Sequence, residues 1–376
     1  MKIVTDVPDL GGASDPVAGC ISVRSWIPKE KGRPRVIKED GMRNSRLQLL
    51  IIITIVFQIV AWSTQGVEAK SYAAYISDGP DTSVAYWLAK EAGFFKKHGL
   101  DMELIFIDGS SRGVQSLIAG DLSFTDAVGT SAINGRLAGG DIAIVSSLVN
   151  TLPYYIIGKP TIKSPEDLRG KTAAVHIPGT SADFAMRLAL KGVGLSYKDI
   201  QAVTVGGAPA RNAAVITGRV DFTVATDSGK IEGEKAGLKT IIDMAKLKIP
   251  FQFSCTVTTR GMIRQNPDMV RNMVRALAEA VHYYKSQKED AIKVMQKYTR
   301  GQNRAALEGT YAAYRELLVE DGYPTLEGLK NTLEIQASFD PKATKAKAED
   351  FVDLRFVEEL RKTGFIDALY GRERAK

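Results

Sequence analysis

A short segment, Gly120 to Thr130 (GDLSFTDAVGT), has a counterpart at Gly218 to Ser228 (GRVDFTVATDS), 98 positions further along the chain. Each copy begins with a glycine suited to a helix end, continues with a short apolar run and finishes in small polar residues that suit a helix start. Identities at the same offset are Gly109/Gly207, Ile118/Ile216, Gly120/Gly218, Phe124/Phe222, Thr125/Thr223 and Ala127/Ala225. An internal repeat of this kind predicts two similar lobes.

Strand-like runs alternate with helix-like segments from residue 70 onward, which is typical of an α/β fold with parallel sheets. The predicted strands are Tyr72–Ile76, Met102–Ile107, Leu122–Thr125, Ile142–Val149, Thr172–Ile177 and Ala202–Val205. The last third is predicted to be helical, with a helix opening at Pro267 and others over Asp290–Tyr298, Arg304–Leu318, Leu326–Phe339 and Asp350–Lys362. Their Lys/Glu faces suit solvent, so we expect the apolar faces to pack on the first lobe.

The chain before residue 70 is excluded from the predicted fold. Two arginines precede the apolar run Leu47–Trp62, and small residues up to Ala69 suit cleavage. This order predicts a signal peptide at 42–69 and therefore a periplasmic protein. An uncleaved membrane anchor is the alternative. Residues 1–41 either precede a true start at Met42 or form a disordered cytoplasmic tail.

Charge and cysteine content exclude several classes of protein. The net charge of +7 is spread over 376 residues without a dense basic block interleaved with aromatics, so we expect no nucleic-acid partner. Cys20 lies in the leader, which leaves Cys255 alone and excludes an intramolecular disulfide in the mature chain. Cys255, within FQFSCTVTT, is interpreted as a buried strand residue. No cysteine follows the apolar run, which argues against lipid anchoring.

Catalytic and metal-binding signatures are missing from the sequence. His98, His176 and His282 lie far apart, and none has a Cys, His or Glu at metal-ligand spacing. The segment Arg169–Thr172 (RGKT) lacks the earlier glycine of a phosphate loop, because Pro165 occupies that position. We therefore expect no enzyme activity, no metal and no cofactor. His176, at a strand end, is interpreted as either a residue near a cleft or an ordinary buried histidine.

Small polar residues follow the predicted strands at five places. They include Ser77, Asp78, Ser110, Ser111, Gly129, Thr130, Ser131, Gly179, Thr180, Ser181, Thr226 and Asp227. Helix starts present unpaired N–H groups and the positive end of the helix dipole, and hydroxyls add donors. Ligands of open α/β sheets bind beyond the carboxyl ends of the strands. Each residue alone could simply cap a helix, but their recurrence in both lobes predicts a ligand cleft.

Four motifs occur together in an order that carries a family resemblance. They are YWLAKEAGFFKKHGLDMELIFIDG, SLIAGDLSFTDA, SPEDLRGKTAAV and ITGRVDFTVAT. The chain from Ala73 to Leu360 resembles the nitrate/sulfonate/taurine-type periplasmic substrate-binding proteins of ABC transporters. The resemblance implies a two-lobed Venus-flytrap fold, with lobe 1 formed by 70–156 and 252–376 and lobe 2 by 157–251. It also implies hinge crossings near Leu152–Lys159 and Ile249–Phe253.

The resemblance further implies a function. The protein would capture a small polar or anionic organic ligand between its lobes, with the strand-end residues as contacts, and would deliver it as a monomer to an ABC permease. Asp78 and Asp227 would repel an anion, so the charge of the ligand stays open. A thiamine-pyrimidine-synthase-like enzyme and a ligand-sensing ectodomain are the alternatives, the first offering only Cys255 and the second lacking a later spanning segment.

Overall fold

The computed structural model describes residues 71–75, 83–178, 180–299 and 303–372. The predicted signal peptide and the segment before it lie outside this range. The strands are β1 (Ser71–Tyr75), β2 (Met102–Phe106), β3 (Phe124–Ala127), β4 (Ile142–Thr151), β5 (Tyr155–Gly158), β6 (Thr172–Val175), β7 (Gln201–Thr204), β8 (Phe222–Ala225), β9 (Lys239–Asp243) and β10 (Pro250–Thr259).

The helices alternate with these strands and then fill the last third of the chain. They are α1 (Val84–Glu91), α2 (Phe94–Lys97), α3 (Ser110–Ala119), α4 (Gly129–Leu137), α5 (Ser181–Gly192), α6 (Ala208–Ile216), α7 (Asp227–Lys235), α8 (Arg260–Gln265), α9 (Pro267–Ser286), α10 (Lys288–Tyr298), α11 (Arg304–Leu317), α12 (Leu326–Gln336), α13 (Arg355–Lys362) and α14 (Phe365–Leu369). Within the described residues no helix has both the length and the apolar character that spanning a bilayer requires.

The strands form two five-stranded sheets of equivalent order. The first sheet runs β2-β1-β3-β10-β4, and the second runs β7-β6-β8-β5-β9. The register is equivalent as well, because Phe124 lies beside Ala73 in the first sheet and Phe222 lies beside Ala173 in the second. The two lobes predicted from the repeated segment are therefore confirmed.

The α/β class is confirmed, but the sheets are mixed and not parallel throughout. Strand β10 runs antiparallel to β3 and β4, and β5 runs antiparallel to β8 and β9. A strand joins a sheet in parallel after a crossover connection on that sheet. Both β5 and β10 instead enter directly from the opposite sheet through short connections, so each meets its new neighbours from the reverse direction.

The chain passes between the sheets twice. It leaves the first sheet at Thr151 and enters the second at Tyr155, then leaves at Asp243 and returns at Pro250. A buried side chain, that of Gln252, braces the return. Its Nε2 donates to Ser147 Oγ at 2.6 Å, and its Oε1 accepts from the backbone N–H of Thr325 at 3.0 Å. The lobe boundaries at 156/157 and 251/252 stay a prediction.

Most of the C-terminal helices pack on the first sheet, as predicted. One core joins Phe124 of the sheet with apolar residues of α1, α9, α10, α11 and α13, while the other face of the sheet packs on α3, α4 and α12. The single helix expected over Asp350–Lys362 is wrong at its start, because a 3₁₀ turn (Ala348–Phe351) precedes α13. The second sheet has its own cores with α5 on one side and α6 on the other.

Candidate functional site

Four of the predicted site residues meet at the carboxyl edge of the first sheet. Ser110 begins α3 and accepts a hydrogen bond from the backbone N–H of Val128, at 3.0 Å, which ties the start of α3 to the end of β3. Ser111 Oγ and Ser131 Oγ lie 3.3 Å apart, and Thr130 is buried one residue away in α4. We call Ser110, Ser111, Thr130 and Ser131 the first rim.

Gly129 is part of this arrangement through close packing. A Cβ atom at this position would lie 2.7 Å from both Cβ and the carbonyl oxygen of Gln252. Real Cβ contacts essentially never come this close. The glycine therefore lets the start of α4 approach the strand that returns from the second sheet, whereas the sequence indicated a ligand contact.

A carboxylate that sequence reasoning missed lies beneath the first rim. Asp126 is fully buried on β3, and its Oδ1 accepts a hydrogen bond from Ser254 Oγ at 2.8 Å. On the same face Tyr86 Oη lies 2.9 Å from Thr256 Oγ1, and burial raises the pKa of the Tyr86 phenol well above its usual value. The strand predicted from the sequence ended at Thr125, which left Asp126 outside it, whereas β3 includes Asp126.

Predicted site residues of the second lobe lie at the starts of two helices. Thr180 is the N-cap of α5, accepting from the N–H of Asp183 and donating to the carbonyl of Ile177 at 2.9 Å. Ser181 Oγ lies 3.2 Å from Tyr154 Oη. Thr226 is the N-cap residue of α7, and Asp227 is its first residue. We call Thr180, Ser181, Thr226 and Asp227 the second rim.

The carboxylate of Asp227 is engaged within its own lobe. Tyr155 Oη donates a hydrogen bond to Asp227 Oδ1 at 2.8 Å. Burial raises the pKa of Asp227, although the hydrogen bond from Tyr155 and the charge of Lys230 act in the opposite direction. The pKa of Tyr155 is also raised, first by burial and then by the Asp227 charge. The repulsion of an anion expected from Asp227 is thereby reduced.

Aromatic residues from the two crossings lie between the lobes. The rings of Tyr154 and Phe253 meet edge to face with centroids 5.7 Å apart. Phe253 and Val128, both of the first lobe, also pack against the apolar core of the second lobe. Neither aromatic residue was predicted, because the crossings resemble ordinary strand ends in the sequence.

A buried arginine lies at the carboxyl edge of the second sheet. Arg211 is only 3% exposed, and its guanidinium donates to the carbonyls of Gly206 and Val224. Burial lowers the pKa of this guanidinium, and the neighbouring phenols of Tyr154 and Tyr197 partly oppose that effect. Arginine nevertheless stays charged in proteins. The alanine-rich helix around Arg211 gave no hint of a site.

Three predicted site residues, Ser77, Asp78 and Gly179, lie outside the described residues. His176, interpreted as lying near a cleft or in a core, follows β6 directly, and its Nδ1 is buried without a hydrogen-bond partner in the described part of the chain. Across the same part, no three His, Cys, Asp or Glu side chains are grouped so as to hold a metal ion. Cys255 is fully buried in β10, as predicted.

Comparison with known proteins gives four relatives of similar sequence, all from Brucella, and many of similar fold. A protein of Brucella abortus (strain 2308), named as a candidate binding protein, is 28% identical over 233 residues, which cover 60% of this chain and 70% of that protein. The periplasmic aliphatic sulphonate binding protein SsuA of Escherichia coli has a TM-score of 0.63 at 19% identity, covering 76% of this chain and 92% of that one.

A second solved structure is the alkanesulfonate-binding protein SsuA of Xanthomonas axonopodis pv. citri bound to MOPS. Its TM-score is 0.58 at 18% identity, with 75% of this chain and 96% of that chain covered. These likenesses show that the fold is the two-lobed α/β fold of periplasmic binding proteins, as the motifs predicted.

The family description "NMT1/THI5 like" matches residues 82–291, more than half of the chain. The matched range includes both rims, both crossings and the repeated segments. This match confirms the family resemblance that was drawn from the four motifs. The chain belongs to the NMT1/THI5-like family.

Proposed function

We propose that this protein is an extracytoplasmic solute-binding protein, which holds a small polar or anionic organic ligand between its two lobes and passes it to an ABC permease. The observation that supports this most is the equivalence of the rims. Both lie at the carboxyl edges of sheets with the same strand order, where ligands of open α/β sheets bind. The proposal takes lobe 1 as 70–156 and 252–376, and lobe 2 as 157–251.

The rims offer chemistry for binding without chemistry for reaction. Helices α3, α4, α5 and α7 begin there, so their first N–H groups and dipoles favour negative or acceptor groups. The hydroxyls of Thr130 and Thr180 place one further polar oxygen at each rim, from opposite lobes. The proposed ligand contacts are the members of the two rims, with Ser77, Asp78, Gly129 and Gly179 retained from the sequence.

Closure follows from contacts made only when both lobes hold the ligand. A ligand that bridges the rims interacts more strongly with the closed form and shifts the population toward it. The two crossings are the segments about which the lobes move. The closed form docks on the membrane permease, and a monomer suffices for this cycle. We place the protein in the periplasm, where the SsuA relative of Escherichia coli is described.

An enzyme resembling thiamine-pyrimidine synthase is a weaker alternative. Burial, and then the charge of Asp126, raises the pKa of the Cys255 thiol well above its usual value. A nucleophilic cysteine needs an accessible thiolate, which Cys255 does not provide. A ligand-sensing ectodomain would use the same cleft, and uptake of the ligand by cells carrying or lacking the protein distinguishes transport from sensing.

Thermal-shift screening tests the proposal. The panel contains sulfonates including MOPS, nitrate, carboxylates, aromatic acids and pyrimidines. A ligand that binds only the folded state at about 100 times its Kd stabilises that state by about 2.7 kcal/mol, which raises Tm measurably. The expected result is a concentration-dependent rise in Tm with at least one class. An unchanged Tm across the whole panel contradicts the proposal.

Variants at the two rims test whether the cleft is shared. Thr130→Ala and Thr180→Ala each remove one hydroxyl, and each is expected to weaken binding of the ligand found in the screen by about tenfold. Because Thr180 also caps α5, Thr180→Ser is its matched control and keeps the hydroxyl. Weakening from only one lobe contradicts a ligand that bridges both.

A further inference from the structure

The guanidinium of Arg211 is buried, and within the described residues it has no carboxylate as an ion-pair partner. No carboxylate of the described residues lies within ion-pair distance of its guanidinium, and its Nε is buried without a hydrogen-bond partner in that part of the chain. The titratable neighbours that act on its pKa, Tyr154 and Tyr197, are both phenols. By contrast Arg187, in the same lobe, bonds Asp183 at 3.0 Å.

Keeping such a group buried is costly for the folded protein. The penalty for burying an ion is about several kcal/mol, and only a well-placed partner offsets it. Two backbone carbonyls supply partial compensation but no opposite charge. A group with the opposite charge that arrives from outside would supply the missing partner.

Arg211 lies at the carboxyl edge of the second sheet, which is also the edge of the second rim. The guanidinium contacts Val224 at the end of β8 and Gly206 just beyond β7. Strand β6 lies between β7 and β8 and ends next to His176, whose Nδ1 also lacks a partner within the described residues. On the next position of α6, Asn212 Oδ1 is likewise buried and unbonded in the described part of the chain. Three buried polar atoms without a hydrogen-bond partner in the described residues therefore lie near this edge of the second sheet: Arg211 Nε, His176 Nδ1 and Asn212 Oδ1.

We infer that Arg211 is the anion-binding residue of the second lobe, and that the ligand carries an oxyanion head group, a carboxylate or a sulfonate. This inference rests on the proposed solute-binding function and narrows it. The planar guanidinium suits a flat pair of oxygens. The Asp227 carboxyl of the same lobe accepts a hydrogen bond from Tyr155 and, within the described residues, forms no ion pair with Arg211.

Pairs of compounds that differ only in charge test the inference. We would measure Kd by titration calorimetry for benzoate and benzamide, for benzenesulfonate and benzenesulfonamide, and for propanesulfonate and propanesulfonamide. The expected result is that at least one anion binds about tenfold or more tightly than its neutral amide. The carboxylate and sulfonate pairs distinguish the two head groups.

Variants then assign the preference to Arg211. Arg211→Gln should weaken the preferred anion by on the order of 100-fold and abolish its advantage over the neutral amide. Arg211→Lys, which keeps the charge but loses the planar fork, should retain part of that advantage. Arg187→Gln is the matched control from the same lobe and should leave the anion's Kd within about twofold.

The ratio of the Kd for the anion to the Kd for its neutral amide distinguishes recognition of the ligand by Arg211 from a purely structural role. If Arg211 merely holds the carbonyls of Gly206 and Val224, Arg211→Gln weakens anion and amide alike, and their ratio is unchanged. That result overturns the inference, as does wild-type protein that binds the neutral amides as well as the anions. No binding by any compound in these pairs or in the wider panel overturns the proposed solute-binding function itself.

Discussion

The segment from Phe124 to Gly129 and the segment from Phe222 to Asp227 occupy equivalent places in the two sheets. Each begins with a phenylalanine that pairs with an alanine of the neighbouring strand, Ala73 of β1 in the first sheet and Ala173 of β6 in the second. Each then leads directly into a helix. The side chains differ at the positions that matter for charge. Asp126 of the first segment aligns with Val224 of the second, and Gly129 aligns with Asp227.

The two repeated segments therefore share their backbone arrangement but differ in the buried charged side chains around them. Beneath the first rim the buried charge is the carboxylate of Asp126, which Ser254 hydrogen-bonds. At the edge of the second sheet the buried charge is the guanidinium of Arg211, which meets only carbonyls. Both buried charges thus have neutral hydrogen-bond partners, and it is for Arg211 that we propose a charged partner in the ligand.

The largest expected effect comes from filling the close contact at Gly129. Gly129→Val forces a side chain against Gln252, and we expect the free energy of unfolding to fall by about 3 kcal/mol. Urea denaturation measures the change. Gly309→Ala is the control, because nothing lies within 4 Å of a Cβ there, and it should be neutral or slightly stabilising. A loss below about 1 kcal/mol for Gly129→Val would refute the packing role.

Removing the buried carboxylate of the first lobe should have the next largest effect. Asp126→Ala leaves Ser254 Oγ without its acceptor inside the protein, and we expect a loss of about 2 kcal/mol. Asp126→Asn keeps an oxygen at that position and should lose less than half as much. Equal losses for the two variants would show that the charge, and not the hydrogen bond, stabilises the lobe.

A smaller effect is expected at the cap of α5 in the second lobe. Thr180→Ala removes the side chain that accepts from Asp183, and we expect a loss of about 1 kcal/mol in the free energy of unfolding. Thr180→Ser should recover most of it, as measured by the midpoint of urea unfolding. Identical midpoints for the two variants would mean that the hydroxyl does not stabilise the helix.

The smallest effect is a change in pH dependence at Asp227. Since burial raises its pKa in the folded state, its contribution to stability is full below the unfolded pKa near ~3.9 and is lost as pH rises through the folded value. Asp227→Asn cannot ionise, so its free energy of unfolding relative to that of wild type, measured by urea denaturation, should rise from pH 4 to pH 7 by about 1 kcal/mol or less.

Asp199 provides the control of opposite sign. Hydrogen bonds from Ser196 lower the pKa of this carboxyl, so its contribution is present above the unfolded pKa and is lost as pH falls. Asp199→Asn should therefore lose Tm relative to wild type as pH rises from 4 to 7. Parallel pH profiles for the two variants would contradict the burial of Asp227.

Much of the fold could be predicted because its signals are local. Gly120 ends α3 with a φ of 91°, and Gly218 follows α6 with a φ of 75°, as the repeated glycines indicated. The direction of β5 and β10 could not be predicted, since the pairing partner of a strand depends on residues far away in the chain. The antiparallel neighbours of β10, which are β3 and β4, both precede the second lobe in sequence, whereas β10 follows it.

Helix starts could be predicted from local sequence, whereas buried side-chain contacts could not. Hydroxyl residues after strands mark helix starts, and Thr180 and Thr226 are indeed N-cap residues. Their contact with a ligand stays a prediction. Arg211, Tyr154 and Phe253 carry no such local mark, because burial and neighbouring charges are set by tertiary packing.

The central position of β10 affects the order in which the protein can fold. Residues 155–243 contribute every strand of the second sheet, so that sheet is available as soon as this stretch is synthesised. The first sheet stays incomplete until β10 has been synthesised. Before residue 259 is added, β3 and β4 have no strand between them. Nonlocal pairing of this kind slows folding. A first lobe that is completed late suits the export that we propose, in which the polypeptide crosses a membrane before it becomes compact.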